Sequence, residues 1–502
     1  MNFIKGNLIF SKLKGYNEVS VACYHPKEII VVPETVIHEG RKYIVTEIGS
    51  CSTMGAFTQT KADKRYKTGV RETGTSIYTV KYNWRGVKKV YIPSTIRVIN
   101  PIDNQSDFST GEPTLESIVV GKPKFSLFQL FLEKKEWGKF MLPEGLQTIR
   151  DYAFKDCKKL TSITIPNTVK SIGKCAFYGC SSLKSITIPN SVRSIEEGAF
   201  NGCSSLTSIV IPDSVTSIGS YAFNDCSSLT SIVIPDSVTS IGGYAFNGCS
   251  SLTSIVIPDS VTSIGGFAFW GCKSLTSIVI PDSVTSIGWH AFSGCSSLTS
   301  IVIPDSVTSI GTGAFRACKS LTSIVLAGDN TVYDSRENCN AIIETGTNTL
   351  ICGCQNTTIP DSVTSIGEEA FAGCSSLTSI VIPDSVKSIG ERAFSHCSRL
   401  SSITIPNNVK SIEDGTFESC KSLTSIVIPD SVTSIGKVAF QYCSTLPSIT
   451  IPDSVTSIEQ GAFNDCDALT HIIIENIPKN IAIDNYNPKN KIKFVKKMER
   501  NH

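Results

Sequence analysis

Residues 252–274, LTSIVIPDSVTSIGGFAFWGCKS, form one copy of a 23-residue repeat that sets the architecture of the chain. If its proline is counted as position 0, apolar side chains occupy positions 3, 6, 11, 17, 20 and 22, and cysteine occupies position 14. The proline recurs every 23 residues from Pro143 to Pro304, eight copies in all, and again from Pro360 to Pro452, which adds five. This period predicts one stack of repeats in place of the three or four globular domains that 502 residues would otherwise suggest.

Each repeat contains two short extended segments and a return turn. LTSIVI places two isoleucines on one face and is rich in β-branched residues, so it is predicted to be a strand that ends at the proline. VTSIG is predicted to be a second extended piece, and AFxxCxx a helical or 3₁₀ turn that returns the chain. Because one coil cannot bury its apolar side alone, stacked coils are expected to form parallel ladders about 4.8 Å apart around a continuous core.

The LxxIxI strand followed by an AFxxC return resembles a leucine-rich repeat of the subclass typified by the BspA-like bacterial surface antigens. Proline followed by Asp or Asn replaces the asparagine usual in such repeats, and the match runs from Pro143 to Cys466 apart from one insertion. The resemblance implies a leucine-rich-repeat solenoid with 23-residue units, parallel short strands and a β-rich N-terminal cap. It further implies a non-enzymatic scaffold for protein binding, adhesin-like and at the cell surface or secreted.

One insertion interrupts the period, since the spacing from Pro304 to Pro360 is 56 residues. NTVYDS, NAIIET and TLICGC within it are predicted to be short strands that form a hairpin standing off the solenoid. Either it is a recognition hairpin or it is a tolerated loop insertion. The expected segments are a β cap at 1–50, divergent repeats at 51–142, regular repeats at 143–326, the hairpin at 327–359, regular repeats at 360–474, and a C-terminal cap with a basic tail at 475–502.

Thirteen of the nineteen cysteines occupy position 14. This position follows Phe by three residues, so we expect a buried ladder of free thiols. Neighbouring rungs would place their Cβ atoms about 4.8 Å apart, more than the roughly 3.8 Å that a disulfide prefers, although zinc and disulfides remain alternatives. Cys352 and Cys354 form only a CxC motif, with Cys339 nearby, which is a weak metal signal. A free thiol or a disulfide in the hairpin is favoured over a metal site.

Sequence variation is concentrated around positions 8 to 12, where aromatic residues gather. Rings about 5 Å apart along one edge could bind sugar rings or the apolar side chains of a partner, or could form a partly buried packing ladder. The candidate partner-binding edge consists of Tyr221, Tyr244, Phe267, Trp270, Trp289 and His290.

We expect no enzyme activity, cofactor or metal site. The six histidines are scattered without an HExxH motif or a recognisable triad, and there is no Walker A motif. Aspartate at position 1 repeats without interruption from Asp213 to Asp305, and such a column either binds calcium or caps its own turns.

Net charge and hydropathy narrow the choice of partner. A net charge of +2 gives no overall attraction to nucleic acid. Charge is uneven, at net +8 over residues 1–142 and net −5 over 205–310, so the basic ends are either solvated or touch an anionic surface. No apolar run is long enough for a membrane span, and no signal peptide is evident, which makes an intracellular interaction scaffold the alternative to an adhesin. The expected partner is a protein, with a glycan as a second choice, and the chain is expected to be a monomer.

Overall fold

The computed structural model describes residues 142, 146–328 and 330–474 with their side chains, and elsewhere only the backbone of individual strands. The chain divides into two compact units, Met1–Val238 and Thr239–His502. Both are built from the 23-residue repeat, called a rung below, and each is a parallel β-solenoid. The predicted fold class is therefore confirmed.

The strand before each proline pairs in parallel with its counterpart one rung away, for example Ser185 with Ser208. This is the long-strand ladder. In the first unit its strands are Ile29–Val31, Lys89–Ile92, Ser117–Val120, Lys139–Met141, Ser162–Thr164, Ser185–Thr187, Ser208–Val210 and Ser231–Val233. In the second unit they are Ser254–Val256, Ser300–Ile303, Ser323–Leu326, Ser402–Thr404, Ser425–Val427, Ser448–Ile451, His471–Ile474 and Lys493–Val495.

A second ladder, the short-strand ladder, is formed at positions 5 and 6 of each rung, mostly by the dipeptide Ser-Ile. In the first unit its strands are Val98–Ile99, Thr148–Ile149, Ser171–Ile172, Ser194–Ile195 and Ser217–Ile218. In the second unit they are Ser240–Ile241, Ser263–Ile264, Ser286–Ile287, Ser309–Ile310, Ser365–Ile366, Ser388–Ile389, Ser411–Ile412, Ser434–Ile435, Ser457–Ile458 and Asn480–Ile481.

The N-terminal strands form a sheet that continues into the short-strand ladder. Asn2–Lys5, Leu8–Lys12 and Glu18–Cys23 pair antiparallel in that order. Glu18–Cys23 then pairs in parallel with Arg41–Ile48, which also pairs antiparallel with Thr35–His38. Arg41–Ile48 in turn pairs in parallel with Val98–Ile99. This sheet is the predicted β-rich N-terminal end, whereas most of the segments predicted at 51–142 and 475–502 lies outside the described residues.

Phenylalanine at position 11 forms the centre of the core. In the second unit Phe246, Phe269 and Phe292 stack with ring centroids 5.4 and 5.3 Å apart, and all three are fully buried. Offset stacking of this kind adds about 0.5–1.5 kcal/mol per pair beyond the area that each ring buries. The register of the ladders is therefore fixed by large side chains as well as by backbone hydrogen bonds.

The return segment is a series of turns, not the helical or 3₁₀ turn that the sequence suggested. The amides of Ala268 and Trp270 bond to carbonyls three residues earlier, Gly265 and Phe267. The intervening amides bond to the next rung instead, as in Phe269 N to Ala291 O at 2.7 Å. Alternate amides thus point along the stack, which prevents a continuous helix and adds a third set of bonds between rungs.

The insertion contains an antiparallel hairpin, but the expectation that it stands off the solenoid is wrong. Its strands are Tyr333–Asp334, Ala341–Glu344 and Thr349–Gly353, with a 3₁₀ turn at Arg336–Asn338. Thr349–Gly353 pairs in parallel with Ser365–Ile366, so the hairpin becomes part of the short-strand ladder. Ile343 and Leu350 are fully buried, because the apolar residues of NAIIET and TLICGC join the core instead of facing solvent.

Candidate binding edge

Position 9 has a left-handed backbone in each of the thirteen rungs from Pro143 to Pro452. All thirteen residues there have φ between 49° and 71°. Four of them are glycine, the residue that adopts this conformation without steric cost: Gly198, Gly313, Gly415 and Gly461. The other nine carry side chains, and these are Tyr152, Cys175, Tyr221, Tyr244, Phe267, His290, Glu369, Arg392 and Val438.

A side chain at a left-handed position costs about 1–2 kcal/mol relative to glycine. Three consecutive rungs of the second unit nevertheless carry Tyr244, Phe267 and His290 there. Mutual stacking of the rings offsets part of this cost. The aromatic column is evident in the sequence but the backbone strain is not, because only the glycines in the column signal a left-handed backbone.

The three rings form a continuous stack. The centroids of Tyr244 and Phe267 are 4.6 Å apart at an interplanar angle of 7°, and those of Phe267 and His290 are 4.9 Å apart at 28°. Both faces of Phe267 are therefore covered by neighbours. The rings form the partly buried packing ladder that was one of the two alternatives, and they remain partly accessible to solvent. Partner binding at this edge stays a prediction.

The two tryptophans lie against the edge of this stack. Trp270 and Trp289 contact Phe267 with centroid distances of 5.9 and 6.2 Å and interplanar angles of 75° and 64°. Trp270 is 45% exposed and Trp289 is 64% exposed. We call the group Tyr244, Phe267, Trp270, Trp289 and His290 the aromatic ledge. Tyr221, in the first unit, has the same left-handed backbone and is 37% exposed.

A charged cluster borders the ledge at His290. Glu369 is almost completely buried; its Oε1 lies 3.2 Å from Nη1 of Arg316 and its Oε2 lies 3.7 Å from Nε2 of His290. Oε2 has no hydrogen-bond partner among the described residues. Gly313 leaves room for this approach, since a Cβ atom there would lie 2.4 Å from Oε2 of Glu369 and 2.5 Å from Cε1 of His290.

A second exposed apolar feature lies on the outer face of the long-strand ladder. Valines at position 21 are between 48% and 83% exposed, and they are Val210, Val233, Val256, Val279, Val302, Val325, Val381 and Val427. Their neighbours in the strand are Ser and Thr, and other rungs have Thr at the same position, as at Thr187 and Thr404. The face therefore varies little from rung to rung.

The cysteines at position 14 form the predicted buried ladder. The Sγ atom of Cys272 donates a hydrogen bond to the carbonyl of Phe246 at 3.3 Å, and the same bond recurs along both units. Burial raises the pKa of Cys295 from its usual value near 9.0 to about 12. These thiols are protonated at neutral pH and behave as small apolar side chains.

The insertion cysteines are buried as well, and they adjoin the ladder. Cys352 and Cys374 both direct their Sγ atoms at the carbonyl of Gly353, at 3.8 and 3.7 Å. Burial raises the pKa of both thiols. Within the part of the chain that the structure describes, no group of three or more His, Cys, Asp or Glu side chains is placed to hold a metal ion. Cys23 and Cys51 have side chains outside the described residues.

The described histidines belong to separate rungs and make local contacts. His396 Nδ1 lies 2.9 Å from Ser395 Oγ, and burial lowers the pKa of the imidazole. His471 Nδ1 lies 2.8 Å from Thr470 Oγ1. Neither contact includes a carboxylate that would complete a nucleophilic triad. No helix among the described residues is long and apolar enough to cross a membrane.

One solved structure supports the fold, and a second is similar in sequence. A leucine-rich repeat protein from Bacteroides ovatus ATCC 8483 is 26% identical, with 98% of this chain and 100% of that chain covered and a TM-score of 0.55. A leucine rich cell surface protein from Faecalibacterium prausnitzii A2-165 is 28% identical, with 95% of each chain covered and a TM-score of 0.49. Comparison with curated proteins gives no match.

The family is shown by a match to the model of the BspA type leucine rich repeat region. Six copies match, over residues 129–253, 216–343, 350–470 and 411–497, which is well over half of the chain. The match includes the rungs that carry the aromatic ledge. The 23-residue period, the parallel ladders and this match agree, and the chain belongs to the BspA-type leucine-rich-repeat family.

Proposed function

We propose that this protein is an adhesin-like binding scaffold at the cell surface, and that the aromatic ledge is its binding edge. The family membership makes it a protein-interaction scaffold. The observation that carries the finer proposal is the ledge itself, where bulky rings occupy a strained backbone position and two indoles remain 45% and 64% exposed. Strain of this kind is concentrated at functional sites, and large exposed rings mark binding surfaces.

Other positions in the same repeat supply substitutions that test the ledge. Glycine occupies position 9 in four rungs and position 8 at Gly243 and Gly266. Asparagine occupies position 12 at Asn201 and Asn247. A variant with Tyr244→Gly, Phe267→Gly, Trp270→Asn and Trp289→Gly therefore uses residues that this backbone already accepts. We call it the ledge variant.

The ledge variant should lose binding while the fold is retained. The full chain is incubated with a panel of purified extracellular-matrix proteins and with intact cells of a candidate host, and the bound fraction is compared with that of the ledge variant. The control carries Val256→Thr and Val279→Thr, since both valines are exposed and Thr occurs at this position in other rungs. Equal binding by the wild type and the ledge variant would remove the ledge from the proposal.

Location is tested separately, because an intracellular scaffold has support of its own. The ladder of buried, protonated thiols suits a reducing compartment, where disulfides are rare. Protease shaving and membrane-impermeant biotin labelling of intact producing cells distinguish the two locations. We expect labelling of this chain under conditions that leave cytosolic markers untouched. Complete protection until the cells are lysed would favour the intracellular scaffold.

A further inference from the structure

We propose that the aromatic ledge binds a neutral polysaccharide, whose sugar rings stack on the exposed faces of Trp270 and Trp289. This inference rests on the proposed function in one respect, namely that the ledge is a binding surface. It adds the chemical class of the ligand. Four observations carry it: the ring geometry, the charge pattern, the exposed area and the periodicity.

The geometry leaves the two indoles available for stacking. Tyr244 and His290 cover both faces of Phe267, so the tryptophans contact its edge. Phe267 supplies the ring contact of each indole, and 45% of Trp270 and 64% of Trp289 remain exposed. An indole face carries the negative side of the ring quadrupole and attracts the weakly positive C–H groups that line one face of a pyranose ring.

The charge pattern disfavours an acidic ligand. Positions 8, 9 and 12 carry no Lys, Arg, Asp or Glu in the four consecutive rungs that begin at Pro212, Pro235, Pro258 and Pro281. In eight of the other nine rungs at least one of these positions is charged. The surrounding stretch 205–310 is acidic, with one Lys and six Asp, which disfavours acidic glycans and nucleic acid.

The exposed area favours a narrow ligand over a folded protein. Side chains of this kind cover 150–250 Å² each, so the exposed fractions of Trp270 and Trp289 correspond to roughly 160–270 Å² of indole surface. A stable protein–protein interface requires about 800 Å² on each partner and includes a polar rim. The two indoles supply about a third of that area or less, whereas a single polysaccharide strand needs only a narrow strip.

The ledge is also periodic, since its stacked rings repeat at 4.6 and 4.9 Å along one edge. The two exposed indoles lie against this column from consecutive rungs, so they extend along the stack and suit an elongated chain better than a compact epitope. His290 and the Glu369–Arg316 ion pair mark one end of the ledge, because beyond Gly313 charged side chains occupy position 9 at Glu369 and Arg392.

Co-sedimentation with insoluble neutral polysaccharides tests the inference. The full chain is incubated with cellulose, chitin and β-1,3-glucan, with polygalacturonate and heparin immobilised on beads as acidic comparisons. We expect at least one neutral polymer to retain the wild type and the Val256→Thr/Val279→Thr control equally. A variant with only Trp270→Asn and Trp289→Gly should bind at least about tenfold more weakly, given the usual strength of aromatic stacking. Circular dichroism and thermal melting establish that each variant is folded.

Each other outcome overturns the inference. Retention by no neutral polymer, stronger retention by the acidic polymers, or unchanged binding of the tryptophan variant removes the polysaccharide ligand. Loss of binding in the valine control would place the site on the strand face instead. If no polysaccharide binds but the ledge variant still loses binding to a matrix protein or to cells, the proposed function stands and only the ligand class fails. If both assays are negative, both proposals fail.

Discussion

At the scale of single residues, the thiols at position 14 contribute to stability in a way that depends on pH. The Sγ atoms of Cys295 and Cys420 donate to the carbonyls of Phe269 and Phe394, and both side chains are fully buried. Burial disfavours the thiolate and raises the pKa of each to about 12, against 9.0 in an exposed chain. Oxidation and alkylation require the thiolate, so the ladder is unreactive in the folded protein.

The free energy of unfolding should therefore fall as pH rises from about 9 to about 12. Below this window both states keep the proton, whereas within it only the unfolded chain loses the proton, which favours unfolding by about 1.4 kcal/mol per pH unit for each thiol. Urea unfolding at several pH values under reducing conditions measures this. Because Tyr and Lys also titrate there, the comparison is with Cys295→Ala/Cys420→Ala, whose dependence should be shallower. Identical slopes in the two proteins would contradict the shifted pKa values.

The repeat pattern predicts which side chains are buried but not the backbone conformation at position 9. Inward side chains such as Phe269 and Cys272 follow directly from the period, because every rung places the same apolar residue there. The left-handed backbone at position 9 does not follow from it, since Phe267 and Val438 normally avoid this conformation. Hydrogen bonds from alternate amides to the next rung hold that backbone in place. These bonds form between rungs, so the sequence of one repeat does not predict them.

At the scale of elements, the insertion is asymmetric with respect to the stack. On the return side the rungs that begin at Pro304 and Pro360 pair directly, with Ala317 N 2.8 Å from Ala372 O. On the strand side the insertion lies between these two rungs, and polar side chains of the insertion hydrogen-bond to the preceding rungs. The hydroxyl of Tyr333 accepts from the amide of Ile310 at 3.0 Å, and Asn340 bonds to both Ile324 and Thr322 at 2.7 Å. The sequence predicted the hairpin strands but not this attachment, because the pairing depends on tertiary contacts.

Deletion of residues 327–359 should leave a folded protein. The deletion joins the strand directly to its proline as LTSIVLPDSV, the pattern of every regular rung, and the return segments are already neighbours. By contrast, Tyr333→Phe in the intact chain should lower stability by about 1–2 kcal/mol, because the amide of Ile310 loses its acceptor. Thermal melts followed by circular dichroism compare the two. Aggregation of the deletion variant, or loss of its cooperative melt, would mean that the insertion is required for folding.

At the scale of the whole molecule, a rung contacts little beyond its neighbours, so stability should be a sum of rung and interface contributions. Within the second unit, Phe394 stacks on Phe371 and Phe417 at 5.1 and 5.7 Å and is fully buried. Its replacement removes two interfaces at one point. The rungs on either side keep their contacts with one another. They form arrays that are long enough to remain folded.

Phe394→Asp should therefore divide the cooperative unit instead of abolishing the fold. An unpaired carboxylate in this core costs several kcal/mol, and this cost destabilises the two rung interfaces on either side of residue 394. We expect differential scanning calorimetry to show an additional transition at lower temperature, and hydrogen exchange to show lost protection in the adjoining rungs first. Val427→Thr, at an exposed position of the same unit, is the control and should melt like the wild type. A single transition that moves uniformly to lower temperature would show that coupling extends well beyond nearest neighbours.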